Sequence, residues 1–277
     1  MSTTPVDNNN ARAPVTVSTL RHMKEQGEKI AMLTAYDASF AAVLDAAGVD
    51  VVLVGDSLGM VIQGHDTTVP VTIDDVVYHT RCVAARAGHM LVMADMPFMS
   101  FRDPAHALDN ATRLMQEGGA HMVKLEGAVL DVVAALAGQG IPVCGHLGLQ
   151  PQSIHKLGGY RVQGRGNEAA AAMREDALRM QDAGADVILL ECVPVDVARE
   201  ISGALDVPTI GIGAGVHCDG QVLVLQDLLG ITPGRRPRFS QDFLSDVATP
   251  GGIPAAIARY VVAVKDGSFP GDEHSFS

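Results

Sequence analysis

The chain has 277 residues, 47% of them hydrophobic and 19% charged, enough apolar material for one α/β barrel or for two small domains. A net charge of −12, no Trp and only 4% aromatic residues exclude the basic, base-stacking surface that nucleic-acid binding needs. No uninterrupted apolar run approaches the ~20 residues that cross a bilayer, and the strongest candidate, VDVVLVGDSLG over 49–59, is broken by charge and Gly.

The polar start, MSTTPVDNNNARAP, lacks the apolar segment of a signal peptide, so residues 1–15 read as a disordered lead-in and the protein as cytosolic. TVSTLRHMKEQG (16–27) reads as a helix ahead of the first strand, placed to cover the bottom of a barrel. Apolar runs follow at IAMLTAY (30–36), DVVLVG (50–55), MLVMA (90–94), HMVKLE (121–126), IPVCGH (141–146), DVILLE (186–191) and VPTIGIG (207–213). Such continuous runs mark strands buried on both faces. Helical stretches lie between and after them at 38–47, 72–88, 103–118, 128–139, 168–183, 195–204 and 217–228. In DAAGVDVVLV, QEGGAHMVKL and QDAGADVILL a Gly closes the helix just before the next strand, as a left-handed C-terminal cap does. An eighth strand is placed at RPRF (236–239), followed by a helix over 252–266.

Strands alternating with helices imply a parallel sheet. A doubly wound open sheet competes, but the units continue past six without a linker, which favours one (β/α)8 TIM barrel over residues 16–277 with an extra N-terminal helix. Cys82, Cys144, Cys192 and Cys218 form no CxxC pair, which argues against zinc, and Cys144 and Cys192 read as core residues.

In such a barrel the active site forms at the C-terminal ends of the strands. Strand two ends at Asp56, strand three at Asp95, strand four at Glu126, strand five at His146 and strand six at Glu191. Asp37 directly precedes a helical run and reads as its N-cap. Glu126 and Glu191 are poor caps, and Asp56 opens a long loop, so these three read as pocket groups. Carboxylates gathered this way repel one another unless a cation compensates. An oxygen-only donor set favours a hard ion, Mg²⁺ ahead of Mn²⁺. Such a site suits a 2-oxo acid whose enolate a Lewis acid stabilises. Lys124 shares a strand face with Glu126 and suits the substrate carboxylate, with Ser57 as a hydrogen-bond donor. His146 and Tyr36 read equally as core or pocket residues. GIGAG (211–215) reads as a tight turn ahead of an anion loop, and the long segment 147–167 as a cover over the pocket.

Several blocks then resemble a known family. TAYD (34–37), VGDSLGMVIQGHDTTVPVT (54–72), ADMPF (94–98), MVKLEG (122–127), PVCGHLGLQPQS (142–153), GGYRVQGRG (158–166), LLECVP (189–194), IGIGAG (210–215) and FPGDEHSF (269–276) are similar, in this order, to the ketopantoate hydroxymethyltransferases. The resemblance covers the chain from about residue 16 to its end. It implies a cytosolic homo-oligomer, a decamer, acting in pantothenate and coenzyme A synthesis. It implies transfer of a hydroxymethyl group from 5,10-methylenetetrahydrofolate to the Mg²⁺-stabilised enolate of 3-methyl-2-oxobutanoate, giving 2-dehydropantoate. It implies Mg²⁺ on Asp56, Asp95 and Glu126, the oxo acid on Asp56, Ser57, Asp95 and Lys124, and Glu191 as the base that takes the C3 proton. Ala128 stands where the family often has a second Gly, and no residue is singled out for the folate. A lyase of the same barrel type would share the metal and the carboxylate clamp, but the KKCGH-type loop of such lyases is missing. A non-catalytic barrel would have no use for a fourth carboxylate.

Overall fold

The computed structural model describes residues 12–232, 236–245 and 251–277. Parallel strands β1 (Ile30–Thr34), β2 (Val51–Val54), β3 (Leu91–Asp95), β4 (Met122–Glu126), β5 (Val143–Gly148), β6 (Val187–Glu191), β7 (Thr209–Ile212) and β8 (Gly220–Leu223) close into a barrel in chain order. The helices are α1 (Val17–Gln26), α2 (Ala38–Ala47), α3 (Leu58–Val61), α4 (Ile73–Ala84), α5 (Pro104–Gln116), α6 (Leu130–Gly138), α7 (Ile154–Leu157), α8 (Asn167–Asp182), α9 (Val195–Ala204), α10 (Leu225–Leu228) and α11 (Gly252–Asp266). Among the described residues no helix is long and apolar enough to cross a membrane. The lead-in expected before the first helix falls largely on residues 1–11, outside the described ones.

Two apolar clusters explain why the strands are continuously apolar. Ile30, Met32, Val51, Leu53, Leu91, Met93, Met122, Cys144 and Leu189 pack together inside the barrel. The residues between them, such as Ala31, Leu33, Val52, Val92, Val123 and Ile188, pack under the outer helices. Successive side chains of a strand face opposite ways, so a barrel wrapped in helices buries both sets.

Helix α1 plugs the N-terminal end. Thr16 and Thr19 form its capping box, and Leu20 and Met23 join the inner cluster. Lys24 Nζ lies 2.7 Å from Asp219 Oδ2 and 2.9 Å from the Ser202 carbonyl, while Arg21 pairs with Asp186 at 2.7 Å. Asp186 and Asp219 immediately precede β6 and β8, so these contacts fix α1 across the strand starts.

The eighth strand lies elsewhere than at 236–239. Gly220–Leu223, within the stretch read as a helix over 217–228, pairs with β1 at Ile30↔Gly220 and with β7 at Ile210↔Gly220. The connection from β7, residues 213–219, holds no helix. A side chain at Gly220 would meet the Ile30 carbonyl at 2.5 Å, so only Gly permits this approach. The Tyr260 hydroxyl of α11 sits 2.9 Å from the carbonyls of both Met32 and Gln221, tying the closing strand pair to the helix outside it. Residues 236–239 are irregular; Phe239 packs on the barrel and Arg238 stacks over the Phe276 ring.

Leu20 is 1% exposed. Leu20→Ala should therefore lower unfolding free energy by about 2–4 kcal/mol, the range for emptying a core leucine site. Chemical denaturation measures it, and a loss below about 1 kcal/mol would mean that α1 merely rests on the barrel.

Candidate active site

The alternation that sends apolar side chains into the lower barrel delivers polar ones to the upper barrel. On β3 the inward series Leu91, Met93 ends at Asp95; on β4 Met122 is followed by Lys124 and Glu126. On β5 Cys144 leads to His146, and on β6 Val187 and Leu189 lead to Glu191. Asp56 stands just beyond β2, where the chain turns into α3. Asp95 is level with Lys124, and Glu126 with His146. The structure thus gathers the carboxylates, the lysine and the histidine expected from sequence, all of them buried except Glu191, whose side chain is 14% exposed.

Lys124 Nζ lies 2.5 Å from Asp95 Oδ1, and Asp95 Oδ2 accepts the backbone N–H of Asp56 at 2.9 Å. The ammonium expected on the substrate carboxylate is therefore partly committed to Asp95. It has three donors, so a second anion remains within its capacity. Glu126 and Glu191 flank His146, with Glu126 Oε1 3.7 Å from Nδ1 and Glu191 Oε2 3.2 Å from Nε2. Neither ring nitrogen has an aligned hydrogen-bond partner, nor does Glu126 Oε1. Ser57 Oγ is 2.8 Å from the Tyr36 hydroxyl, which places Tyr36 beside the pocket, and His79 Nδ1 holds the Tyr36 carbonyl at 2.7 Å. Asp37 is the N-cap of α2, accepting from the N–H groups of Ser39 and Phe40.

Sequence reasoning missed Gln152. Its amide donates to Asp56 Oδ2 at 2.9 Å and to the Met96 carbonyl at 3.0 Å, and its backbone N–H donates to Glu126 Oε2 at 3.1 Å. The only available signal was a Gln just after Pro151 in the segment after β5. That segment contains a 3-10 turn (Pro151–Ser153) and α7, and it is pinned at both ends to the tip of β6. Leu149 N–H donates to the Glu191 carbonyl at 2.8 Å, and Gln163 N–H to the Cys192 carbonyl at 3.0 Å. Gly148, at φ +94°, allows the first of these, since a Cβ there would lie 2.2 Å from the Glu191 carbonyl. Between the pins Tyr160 reaches Met60, its hydroxyl 3.6 Å from the sulfur. The segment is a strap across the mouth.

Burial dominates the electrostatics. It pushes Asp56 up to about 7, with the Asp95 charge adding to the effect. It raises Glu126 well above the usual carboxylate range, again with Asp56 contributing. It pushes Glu191 up to about 8, against the opposing pull of Lys124. Burial also drives His146 well below its ordinary value, so the ring is neutral. For Lys124 burial opposes the charge, but Asp95, Asp56 and Glu126 outweigh it and keep the ammonium protonated. As the side chains stand, no three acidic, His or Cys groups among the described residues are arranged to hold a metal ion. The donor chemistry nevertheless fits a hard divalent cation. Mg²⁺ takes one or two carboxylates and keeps its remaining positions for water and ligand oxygens, and Glu126 Oε1 is buried without a partner.

An apolar barrel floor, an upper layer of carboxylates about one lysine and a strap over the mouth define a (β/α)8-barrel enzyme. The sequence model of the ketopantoate hydroxymethyltransferases matches residues 14–272, and the chain belongs to that family of transferases. It is similar to the 3-methyl-2-oxobutanoate hydroxymethyltransferase of Alkalilimnicola ehrlichii, at 61% identity over 96% of this chain and 95% of that one. It is likewise similar to the enzyme of that name from Marinobacter nauticus, at 57% identity over 95% of this chain and 98% of that one. The fold resembles that of a phosphonopyruvate hydrolase, with a TM-score of 0.60 at 13% identity over 78% of this chain and 83% of the other.

The raised carboxyl groups have a consequence for stability. Asp56 and Glu191 keep their protons in the fold to higher pH than in the unfolded chain, so the folded state binds more protons. The stability this confers is present at low pH and is lost as pH rises through about 7 for Asp56 and about 8 for Glu191. In metal-free protein, Glu191→Gln should therefore raise Tm above pH 8, where the wild-type carboxyl has ionised, and change it little in acid. Equal Tm values for the two proteins at the alkaline end would refute this.

Proposed function

We propose that this chain transfers a hydroxymethyl group from 5,10-methylenetetrahydrofolate to C3 of 3-methyl-2-oxobutanoate, giving 2-dehydropantoate in the cytosolic synthesis of pantothenate and coenzyme A. Family membership supports the overall reaction. The observation that carries the mechanism is the placement of Glu191. It is a largely enclosed carboxylate outside the Asp56–Asp95–Lys124 cluster, with its proton affinity raised to about 8.

Asp56, Asp95 and Glu126 would hold Mg²⁺, which would supply the positive charge that makes the C3 proton of a bound 2-oxo acid acidic enough to remove. Lys124 and the Ser57 hydroxyl bind the carboxylate and orient the acid, with Asp56 and Asp95 alongside. Glu191 removes the C3 proton. Its affinity for protons, raised by burial, matches the base to a weak carbon acid. His146 lies 3.2 Å from Glu191, and burial drives its proton affinity well down, which makes it the weaker base of the two. One water is consumed: it opens the folate's methylene unit to the formaldehyde level, both C–N bonds break and tetrahydrofolate leaves. The carbanion forms its C–C bond to that carbon, whose oxygen takes up a proton as the new hydroxyl, while the strap keeps bulk solvent from the carbanion. The fourth carboxylate separates this reading from a non-catalytic barrel, because binding alone has no need of it.

Release of tetrahydrofolate from methylenetetrahydrofolate in the presence of 3-methyl-2-oxobutanoate and Mg²⁺ is the direct test; no release, or undiminished release in EDTA, would defeat the proposal. Proton removal is isolated by following deuterium exchange at C3 of the oxo acid in D₂O without folate. Glu191→Gln keeps the shape and removes the base, so exchange should fall roughly 10²–10⁴-fold. Near wild-type exchange would assign the base elsewhere. Lys124→Ala should raise KM for the oxo acid sharply, and Lys124→Arg should recover little, because a planar fork does not replace a compact ammonium. An unchanged KM would make Lys124 purely a partner of Asp95.

A further inference from the structure

Gln152 enters the pocket from the strap rather than from a strand, and it is 6% exposed. Its three hydrogen bonds reach a carboxylate beyond β2, a carbonyl beyond β3 and a carboxylate at the end of β4. The Met96 carbonyl only accepts, which fixes the amide with its nitrogen toward it and toward Asp56 Oδ2. The residue type suits the place. A lysine or arginine would add a charge that competes with a cation, and a glutamate would add repulsion to a pocket already rich in carboxylates. An apolar side chain would leave Asp56 Oδ2 buried and short of a donor, a costly state. Gln152 engages one oxygen of each carboxylate, Asp56 Oδ2 and Glu126 Oε2, and leaves Glu126 Oε1 buried without a partner.

We propose that Gln152 is a positioning residue, which holds Asp56 and Glu126 in the arrangement that receives a divalent cation and so sets the affinity of the site. This rests on the reading of these carboxylates as metal ligands. Because Gln152 is carried on the strap, cation binding and the seating of the strap are linked: each favours the conformation that the other needs.

The test uses the full chain, Mg²⁺ measured by calorimetry and Mn²⁺ by electron paramagnetic resonance, without substrates. Gln152→Met, close in shape and lacking the donors, should bind both ions about 10–100-fold more weakly, the usual loss when a partner that orients metal ligands is removed. In the activity assay the Mg²⁺ concentration for half-maximal rate should rise by the same factor, with kcat restored at saturating Mg²⁺. A merely structural role would lower stability and leave the ion affinity unmoved. Ion binding equal to wild type in a folded Gln152→Met variant overturns the proposal while leaving the metal reading intact. Failure of the wild type to bind either ion overturns both. A measurement on the wild type alone guards against a variant that does not fold: hydrogen exchange over residues 149–158 should slow when Mg²⁺ is added. Exchange there that is indifferent to Mg²⁺ also overturns the proposal.

Discussion

One buried ammonium faces four carboxylates in the upper barrel, and the other polar contacts there follow from that imbalance. Lys124 is bound closely to Asp95, and Asp95 spends its second oxygen on the Asp56 backbone. Asp56, Glu126 and Glu191 must then hold protons or await a cation, since burying several like charges together is far costlier than shifting their proton equilibria. The remaining groups in contact are neutral: an amide from Gln152 and an uncharged imidazole from His146. Each supplies polarity without altering the charge deficit. Raised proton affinities meet that deficit in the chain alone, and a cation from outside could meet it instead.

The lower barrel compensates for this. Its interior is filled by aliphatic and sulfur-containing side chains and sealed by Leu20 and Met23 of α1. The outer strand faces pack under the helix ring. The polar layer therefore sits on a rigid base, and a strand's period of two residues is the only device needed to pass from one layer to the other. Such a base fixes side-chain positions, which a site built from several strands requires.

Much of this was legible in the sequence because it depends on that same period. Seven of the strands are continuous apolar runs, and the groups at their ends declare themselves as residues that a core does not tolerate. The closing strand was not legible. GQVL is short and half polar, its register depends on a backbone approach at Gly220, and the link from β7 has no helix to mark it. The apolar spacing of 217–228 imitates a helix when read locally. Gln152 was hidden for a different reason. A glutamine in an irregular segment has no periodicity to betray its direction, and its three partners come from elements 26 to 96 residues away. The contact of Lys124 with Asp95 likewise follows from neighbouring strands brought level by the barrel, which no local pattern encodes.

The filled lower barrel, capped by α1, leaves only the upper barrel as a short shaft closed from below. Whatever reaches Asp95 and Lys124 arrives past the strap and departs by the same route. Two ligands that stack in such a shaft cannot exchange places. The deeper of two would have to enter first and leave last, an order set by the shape of the vessel rather than by relative affinity.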